Sequence, residues 1–296
     1  MRVTQGMLTQ QFLLDLQNNY RKLSRLQDEA ASGKRINRPA DDPVGVGFAM
    51  RYKAQVAYYG QYQQNADMAK GWLDYTDTVM NQAGDVIKRA RDLAVQGASD
   101  TVPPDARQAL ASEVDQLLQQ MVTIGNSQYN GKYIFNGQAT TTPPYDSANP
   151  ENSATNNGQV LYDIGDGVHL DVNVPGSRFF GAPSEADNVF AVLKQLRDGL
   201  TNNNTAQIED ALGKIDSRYS KMLEVRADVG ARSNRVDLAQ NRLADMVQNL
   251  QSLLSKTEDA DMGKLAVDLK TAENVHMASL AVGARVLVPS LVDFLK

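Results

Sequence analysis

Two stretches of this chain carry apolar residues at every seventh position, and this periodicity constrains the fold more than any other feature. The first stretch contains Tyr52, Tyr59, Ala66, Leu73, Met80, Ile87 and Ala94. The second contains Ile208, Ile215, Met222, Val229, Val236, Leu243 and Leu250. A sustained seven-residue repeat predicts long helices that pack side by side. Because the chain leaves through the first stretch and returns through the second, we expect the two helices to be antiparallel.

The positions three residues further along support the same interpretation. In the first stretch they are Gln55, Tyr62, Ala69, Thr76, Ala83, Ala90 and Gly97, most of them small, which allows a neighbouring helix to approach closely. In the second stretch Arg218 and Arg232 interrupt an otherwise apolar series. A helix from Val44 to about residue 98 measures about 80 Å at 1.5 Å per residue.

A punctuated segment, residues 31–43, precedes the first long helix. Gly33 follows an amphipathic run and suits the left-handed conformation at a helix C-terminus. Pro39 and Pro43 disfavour a helix in the residues before them, and Asp42 with Pro43 matches an N-cap followed by the first helical residue. We therefore predict a hinge at Gly33, Pro39, Asp42 and Pro43, and a second hinge at residues 257–261.

Outside the two hinges, the ends of the chain are amphipathic helices whose apolar stripes lack an internal partner of matching breadth. An uncovered stripe of this length favours aggregation unless other subunits cover it, so we predict an assembly interface. Its predicted residues are Leu13, Leu16, Tyr20, Leu23, Leu265, Leu269, Val275, Leu280, Val286, Leu287 and Leu291.

Between the long helices, the pattern changes from helix to strand. Residues 129–137 combine aromatic residues with two Asn-Gly steps, and residues 160–174 alternate around Gly165-Asp166-Gly167, which predicts two hairpins. Residues 138–158 are almost entirely polar and predict an exposed, mobile loop. Ser184 and Glu185 are expected to open the next helix.

The predicted fold class is mainly α: an elongated, antiparallel, coiled-coil-like bundle of long helices with terminal helices and a small insert rich in β-hairpins. We divide the chain into two terminal parts (residues 1–42 and 259–296), two parts of a helical body (43–137 and 185–258) and a β insert (138–184).

Composition limits the partners. The net charge of −5 is spread over interspersed acids and bases, without the basic stripe that phosphate neutralisation requires, so nucleic acid is not expected as a partner. No run approaches the roughly 18 to 20 apolar residues that span a bilayer, and the first residues do not resemble a Sec-type signal, so no membrane partner is expected. The chain has no cysteine, which excludes disulfides and thiolate metal sites.

No constellation of residues predicts catalysis. His169 and His276 are more than a hundred residues apart, and the Asp41-Asp42 and Asp259/Asp261 pairs precede helix starts, where carboxylates are favoured. Gly165-Asp166-Gly167 is too short for a phosphate-binding loop. We therefore expect no enzymatic activity, no metal and no cofactor.

Several motifs carry a family resemblance. Residues 32–43, Ser-Gly-Lys-Arg-Ile-Asn-Arg-Pro-Ala-Asp-Asp-Pro, resemble the SGxRIN…DD signature of the bacterial flagellin family. Residues 91–96, 133–137 and 278–285 resemble further segments of that family. Pro39, Pro43 and the Pro289-Ser290-Leu291 ending look more like the member that joins the hook to the filament than like flagellin, the filament subunit, which remains the alternative.

The resemblance implies a structural subunit of the flagellum, exported through the flagellar type III apparatus and located outside the cell. It implies that the two terminal parts form an inner-core domain that is disordered in the free subunit and helical in the assembly. The implied partners are other copies in a ring, the first hook-associated protein, flagellin and a cytoplasmic export chaperone.

Overall fold

The computed structural model describes residues 5–286, except for the side chains of residues 5, 285 and 286. Seven α-helices dominate this part of the chain: α1 (Gln5–Ser32), α2 (Pro43–Ala98), α3 (Pro104–Gly125), α4 (Gly176–Phe180), α5 (Val189–Thr201), α6 (Thr205–Glu258) and α7 (Met262–Val286). Two antiparallel hairpins pair β1 (Gln128–Tyr129) with β2 (Lys132–Tyr133), and β3 (Leu161–Gly165) with β4 (Val168–Asp171). The mainly α fold with a small hairpin insert is confirmed.

Contacts divide the chain into two units. One unit contains Tyr59–Asp245, and the other contains the residues up to Tyr58 together with those from Met246 onward. Both boundaries fall inside long helices, α2 and α6. The five-part division from the sequence places its boundaries at the hinges instead, and it stays a prediction.

Within the unit of Tyr59–Asp245, α2 and α6 run antiparallel. Ion pairs join Lys70 to Asp237 at 3.0 Å and Arg91 to Asp216 at 2.7 Å, so the residue number falls along one helix as it rises along the other. The predicted heptad positions form the contact: Ala66, Leu73, Met80, Ile87, Ala94, Ile208, Ile215, Met222, Val229, Val236 and Leu243 are all buried. The seven-residue repeat therefore predicted the helix pair correctly.

The first predicted hairpin has the expected turn. Asn130 and Gly131 both have positive φ, 49° and 74°, as a two-residue hairpin loop with right-handed strand twist requires. Tyr129 holds this hairpin against α2, where its ring lies edge-on to Trp72 with the centroids 5.8 Å apart. The second Asn-Gly step, at residues 136 and 137, has a different role, since the Asn136 side chain accepts a hydrogen bond from the Asn156 amide.

Residues 138–158 do not form the fully exposed loop that their composition predicted. Tyr145 is only 2% exposed, and its ring packs edge-on to Phe180 and against Phe190. Asn126 fixes the segment by bonding the backbone of Tyr145 in both directions, at 2.9 and 3.0 Å. A single aromatic residue anchors an otherwise polar segment, and periodicity cannot detect such an anchor.

The helix predicted from Ser184 begins at Val189 instead. The Asn188 side chain caps it by accepting hydrogen bonds from the Phe190 and Ala191 amides. Glu185 and Asp187 lie before the cap and bind the buried guanidinium of Arg218. The sequence suggested that Glu185 lies at a helix start, but its carboxylate pairs with Arg218 instead.

Candidate assembly surface

The terminal helices α1 and α7 pack against each other in an antiparallel pair. Leu23, Leu26, Leu265 and Ala272 form its buried core. Further along the pair, the Asn19 side chain donates a hydrogen bond to Ser279 at 3.1 Å, and the Phe12 ring lies against Gly283. A Cβ atom at position 283 would overlap that ring, so a larger residue there would force the Phe12 side chain to move.

The structure divides the predicted assembly residues into two groups. Leu23 and Leu265 are buried between α1 and α7, and Leu16 and Leu269 are half-buried beside them. Leu13, Tyr20, Val275 and Leu280 are exposed, each between 45% and 62%. Val286 lies at the end of α7, and Leu287 and Leu291 lie outside the described residues. Part of the predicted stripe is therefore used within the chain, and the rest of its described residues remain uncovered.

Further exposed apolar residues extend the uncovered surface beyond the prediction. They are Met7, Leu8, Leu14, Met262, Val267, Met277 and Val282. For Met277 and Val282, the signal in the sequence is charge: no Asp, Glu, Lys or Arg occurs between Glu273 and Arg285. A helix that is apolar on all sides is normally buried on all sides. The composition of the second half of α7 is therefore typical of a helix that packs against other helices in addition to α1.

Several exposed residues share one flank of the pair. Leu13 and Tyr20 are seven residues apart on α1, and the Tyr20 ring contacts His276 of α7 with the centroids 6.0 Å apart. Leu280 lies one helical turn beyond His276 on the same side of α7. We call this surface, made of Leu13, Tyr20, His276, Met277 and Leu280, the terminal flank.

The predicted hinges are tied together by backbone hydrogen bonds. Gly33 has a φ of 70° and ends α1, as its sequence position predicted. Its carbonyl accepts a hydrogen bond from the Ala260 amide at 3.0 Å, and the Arg35 amide donates to the carbonyl of Glu258 at 2.8 Å. The two linkers that join the terminal helices to α2 and α6 thus form one structure, which we call the clasp: residues 33–36 and 257–260.

Glu258 is the centre of the clasp. Its carboxylate is buried and accepts hydrogen bonds from the ammonium groups of Lys34 at 2.8 Å and Lys53 at 2.7 Å. Burial alone raises the pKa of Glu258, but the hydrogen bonds and charges of the two lysines outweigh it and hold the pKa below its usual value. The carboxylate is therefore ionised near neutral pH.

Asp42 and Pro43 have the predicted positions at the start of α2. Asp42 accepts a hydrogen bond from the Gly45 amide at 2.8 Å, and this bond is the main cause of its lowered pKa. Pro39 lies in an exposed turn that Asp41 closes by accepting hydrogen bonds from the Asn37 and Arg38 amides. All four predicted hinge residues therefore lie within or directly beside the clasp.

The remaining polar candidates belong to different units. His169 pairs with Asp163 on the exposed β3–β4 hairpin, whereas His276 belongs to the terminal flank. Within residues 5–286, no group of three or more His, Cys, Asp or Glu side chains is arranged to hold a metal ion. None of the helices in that range combines the length and apolar character that a bilayer crossing requires.

Comparison with known proteins places this architecture in a family. The profile of the bacterial flagellin N-terminal helical region matches residues 3–140, and that of the bacterial flagellin C-terminal helical region matches residues 212–295. Together the two regions cover about three quarters of the chain, including α1, α2, α3, α7 and most of α6.

Individual proteins agree with this assignment. The chain is 26% identical over 275 residues to the flagellar filament 30.7 kDa core protein of Treponema maltophilum, covering 91% of this chain and 88% of that protein. It is 24% identical to flagellar hook-associated protein 3 of Salmonella typhimurium, covering 88% and 89%. The fold resembles that of a flagellar hook-associated protein from Vibrio parahaemolyticus, with a TM-score of 0.68 and 19% identity over 74% of this chain and 100% of the other. The protein therefore belongs to the bacterial flagellin family and is a structural protein of the flagellum.

Proposed function

We propose that this protein joins the hook of the flagellum to its filament and assembles through the exposed faces of α1 and α7. The observation that carries the proposal is the uncovered apolar surface of this pair, which includes Leu13, Tyr20, Val275 and Leu280. Burying one Leu or Val side chain contributes about 1.5–3 kcal/mol. Contacts with neighbouring copies at several such positions would offset the entropy lost when subunits become ordered.

The proposed role is structural and involves neither catalysis nor a cofactor. A ring of identical subunits would contact the first hook-associated protein on one side and flagellin on the other. Before export, a cytoplasmic chaperone would cover the terminal helices, whose apolar surface otherwise favours aggregation. Export through the flagellar type III apparatus, without a cleaved signal peptide, would then place the subunit outside the cell.

Two features favour the junction over the filament. Pro39 and Pro43 flank the turn that precedes α2, and the chain contains the Pro289-Ser290-Leu291 segment that resembles junction members. The relation to hook-associated protein 3 of Salmonella typhimurium extends over most of both chains. A filament role is the second candidate, because the Treponema maltophilum filament protein matches 91% of this chain.

Electron microscopy of a deletion strain distinguishes the two roles. If the protein joins hook and filament, cells without it should carry bare hooks and release flagellin into the medium. If it is the filament subunit, the deletion should remove the secreted filament protein itself. Normal filaments on the deletion strain would contradict both roles.

A further inference from the structure

Six methionines of the described residues form two groups of very different exposure. Met80, Met121 and Met222 are at most 3% exposed in the core of the Tyr59–Asp245 unit. By contrast, Met7 on α1 and Met262 and Met277 on α7 are 56–60% exposed. A thioether is oxidised readily where solvent reaches the sulfur, so these two classes differ in reactivity.

We propose that Met7, Met262 and Met277 are oxidation sites through which peroxides or hypohalous acids block assembly of the free subunit. The inference rests on the proposed function, because it requires that the surface of the α1–α7 pair becomes an interface. Oxidation would regulate this interface by acting on the subunit before it is incorporated, and enzymatic reduction of the sulfoxide would reverse it.

The chemical step needs only the oxidant. With hydrogen peroxide, the methionine Sδ attacks one peroxide oxygen, the O–O bond breaks, and an S–O bond forms. The sulfur loses two electrons, the peroxide is reduced by two electrons, and water leaves after proton transfer. Methionine sulfoxide is the product, and methionine sulfoxide reductases return it to methionine.

The sulfoxide is unfavourable at a position that another subunit covers, because it replaces an apolar thioether with a polar group. Met277 belongs to the terminal flank beside Leu280, in a part of α7 without Asp, Glu, Lys or Arg. Its sulfoxide oxygen accepts hydrogen bonds but donates none, and the apolar side chain of Leu280 offers no donor. Covering such an oxygen by another subunit leaves it unpaired, which weakens association by about tenfold for each site.

Assembly protects the same sites. A sulfur covered by a neighbouring subunit is no longer accessible to the oxidant, as the buried Met80 and Met222 already illustrate within one chain. Oxidation is therefore expected to act on free subunits and to spare assembled ones.

The test compares two sets of leucine substitutions in the full chain, treated with hydrogen peroxide. The variant Met7→Leu/Met262→Leu/Met277→Leu keeps apolar side chains of similar volume but removes the three sulfurs. The control variant Met50→Leu/Met68→Leu removes two methionines of α2 that are exposed by 67% and 50%. Peptide mass mapping measures sulfoxide at each position, and sedimentation measures self-assembly before and after treatment.

We expect peroxide to oxidise Met7, Met262 and Met277 in the free chain. It should reduce assembly of the wild type and of the control variant Met50→Leu/Met68→Leu at least about tenfold. The triple variant should still assemble. Sulfoxide reductases should restore the treated wild type. Equal loss in the triple variant, or protection by the control variant, would overturn the inference while leaving the proposed function standing. An untreated chain that never assembles would overturn both.

Discussion

Arg218 is among the largest fully buried side chains in residues 5–286, at a heptad position of α6 where an apolar residue is expected. Its guanidinium donates hydrogen bonds to the carbonyl of Asp187 at 2.8 Å and to the carboxylates of Asp187 and Glu185. It also lies against Gly181, where a Cβ atom would come within 2.7 Å of the guanidinium and 2.8 Å of the Asn188 Cα, and where the φ of 98° separately favours glycine. Arg218 therefore holds the segment before α5 against α6.

We predict that Arg218→Ala destabilises the protein by about 3 kcal/mol, because it leaves a cavity beside α6 and removes the buried guanidinium, so that only the half-exposed Lys221 still pairs with Asp187. Urea unfolding followed by the fluorescence of Trp72, the single tryptophan, measures the free energy of unfolding. The control is Arg178→Ala, which removes a partly exposed ion pair with Asp228 and should cost less than about 1 kcal/mol. Equal effects of the two substitutions would contradict a structural role for the buried cluster.

The same cluster predicts a dependence of stability on pH. Burial raises the pKa of Asp187, but hydrogen bonds from Lys221, Ser217 and Arg218 outweigh it and lower the pKa to about 2. Since the folded pKa lies below the unfolded value of 3.8, the contribution of about 2 kcal/mol is complete above pH 3.8 and is lost as the pH falls through 2.

Urea unfolding between pH 5 and pH 2 tests this dependence. Asp187→Asn removes the titrating group, so the variant should be less stable at pH 5 and should lose less stability on acidification than the wild type. Parallel pH profiles for the two proteins would contradict the assignment to Asp187.

At the scale of single elements, the sequence correctly predicted the helices and helix ends that local residue patterns determine. The heptads identified α2 and α6, and Asp42-Pro43 identified the start of α2, because both patterns act within one or two helical turns. The short helix α4, the start of α5 and the burial of Tyr145 were missed. The burial of Tyr145 depends on Phe180 and Phe190, and the start of α5 depends on Glu185 and Asp187 binding Arg218. These partners lie far apart in sequence and become neighbours only in the folded chain.

The prediction of the assembly stripe has the same limits. Amphipathic spacing identified two kinds of residue without separating them. Leu23 and Leu265 pack inside the α1–α7 pair. The exposed residues are Leu13, Tyr20, Val275 and Leu280. Spacing shows which residues share a stripe, but it does not divide the stripe between a partner helix and another subunit. That division follows from tertiary packing.

The clasp yields a prediction at the same scale. Glu258→Gln removes the charge that Lys34 and Lys53 share, so residues 33–36 and 257–260 should open more often. Hydrogen exchange of the Arg35 and Ala260 amides should accelerate, with little change in the core amides of α3. Glu113→Gln, which breaks an exposed pair with Arg89, is the matched control. Unchanged exchange at Arg35 and Ala260 would show that the backbone bonds hold the clasp without the carboxylate.

On the scale of the whole molecule, the two units differ in how much apolar surface they bury. The unit of Tyr59–Asp245 has an extensive core that includes Trp72, Phe135 and Phe190. Within residues 5–286, the buried core of the α1–α7 pair consists of Leu23, Leu26, Leu265 and Ala272. Opening of the terminal pair therefore costs less free energy than unfolding of the larger unit.

Limited proteolysis of the full chain with a broad-specificity protease should reveal this difference. We expect early cleavage near residue 38, in the exposed turn before α2, and near residue 258, where α6 is linked to α7, followed by a stable fragment that contains Tyr59–Asp245. Intact chains that persist as long as that fragment would contradict a weakly held terminal pair and the implied transition from disorder to helix on assembly.

The proposed assembly through the terminal helices is tested most directly by filament counts in the deletion strain carrying Leu13→Asp/Leu280→Asp. A charge at these exposed positions leaves the fold of the single chain intact but opposes burial by a neighbouring subunit. The matched control is Leu238→Asp on α6, where the side chain is 72% exposed. Electron microscopy should show bare hooks with the double variant, and normal filaments with the wild type and with Leu238→Asp. Normal filaments with Leu13→Asp/Leu280→Asp would contradict assembly through the α1–α7 pair.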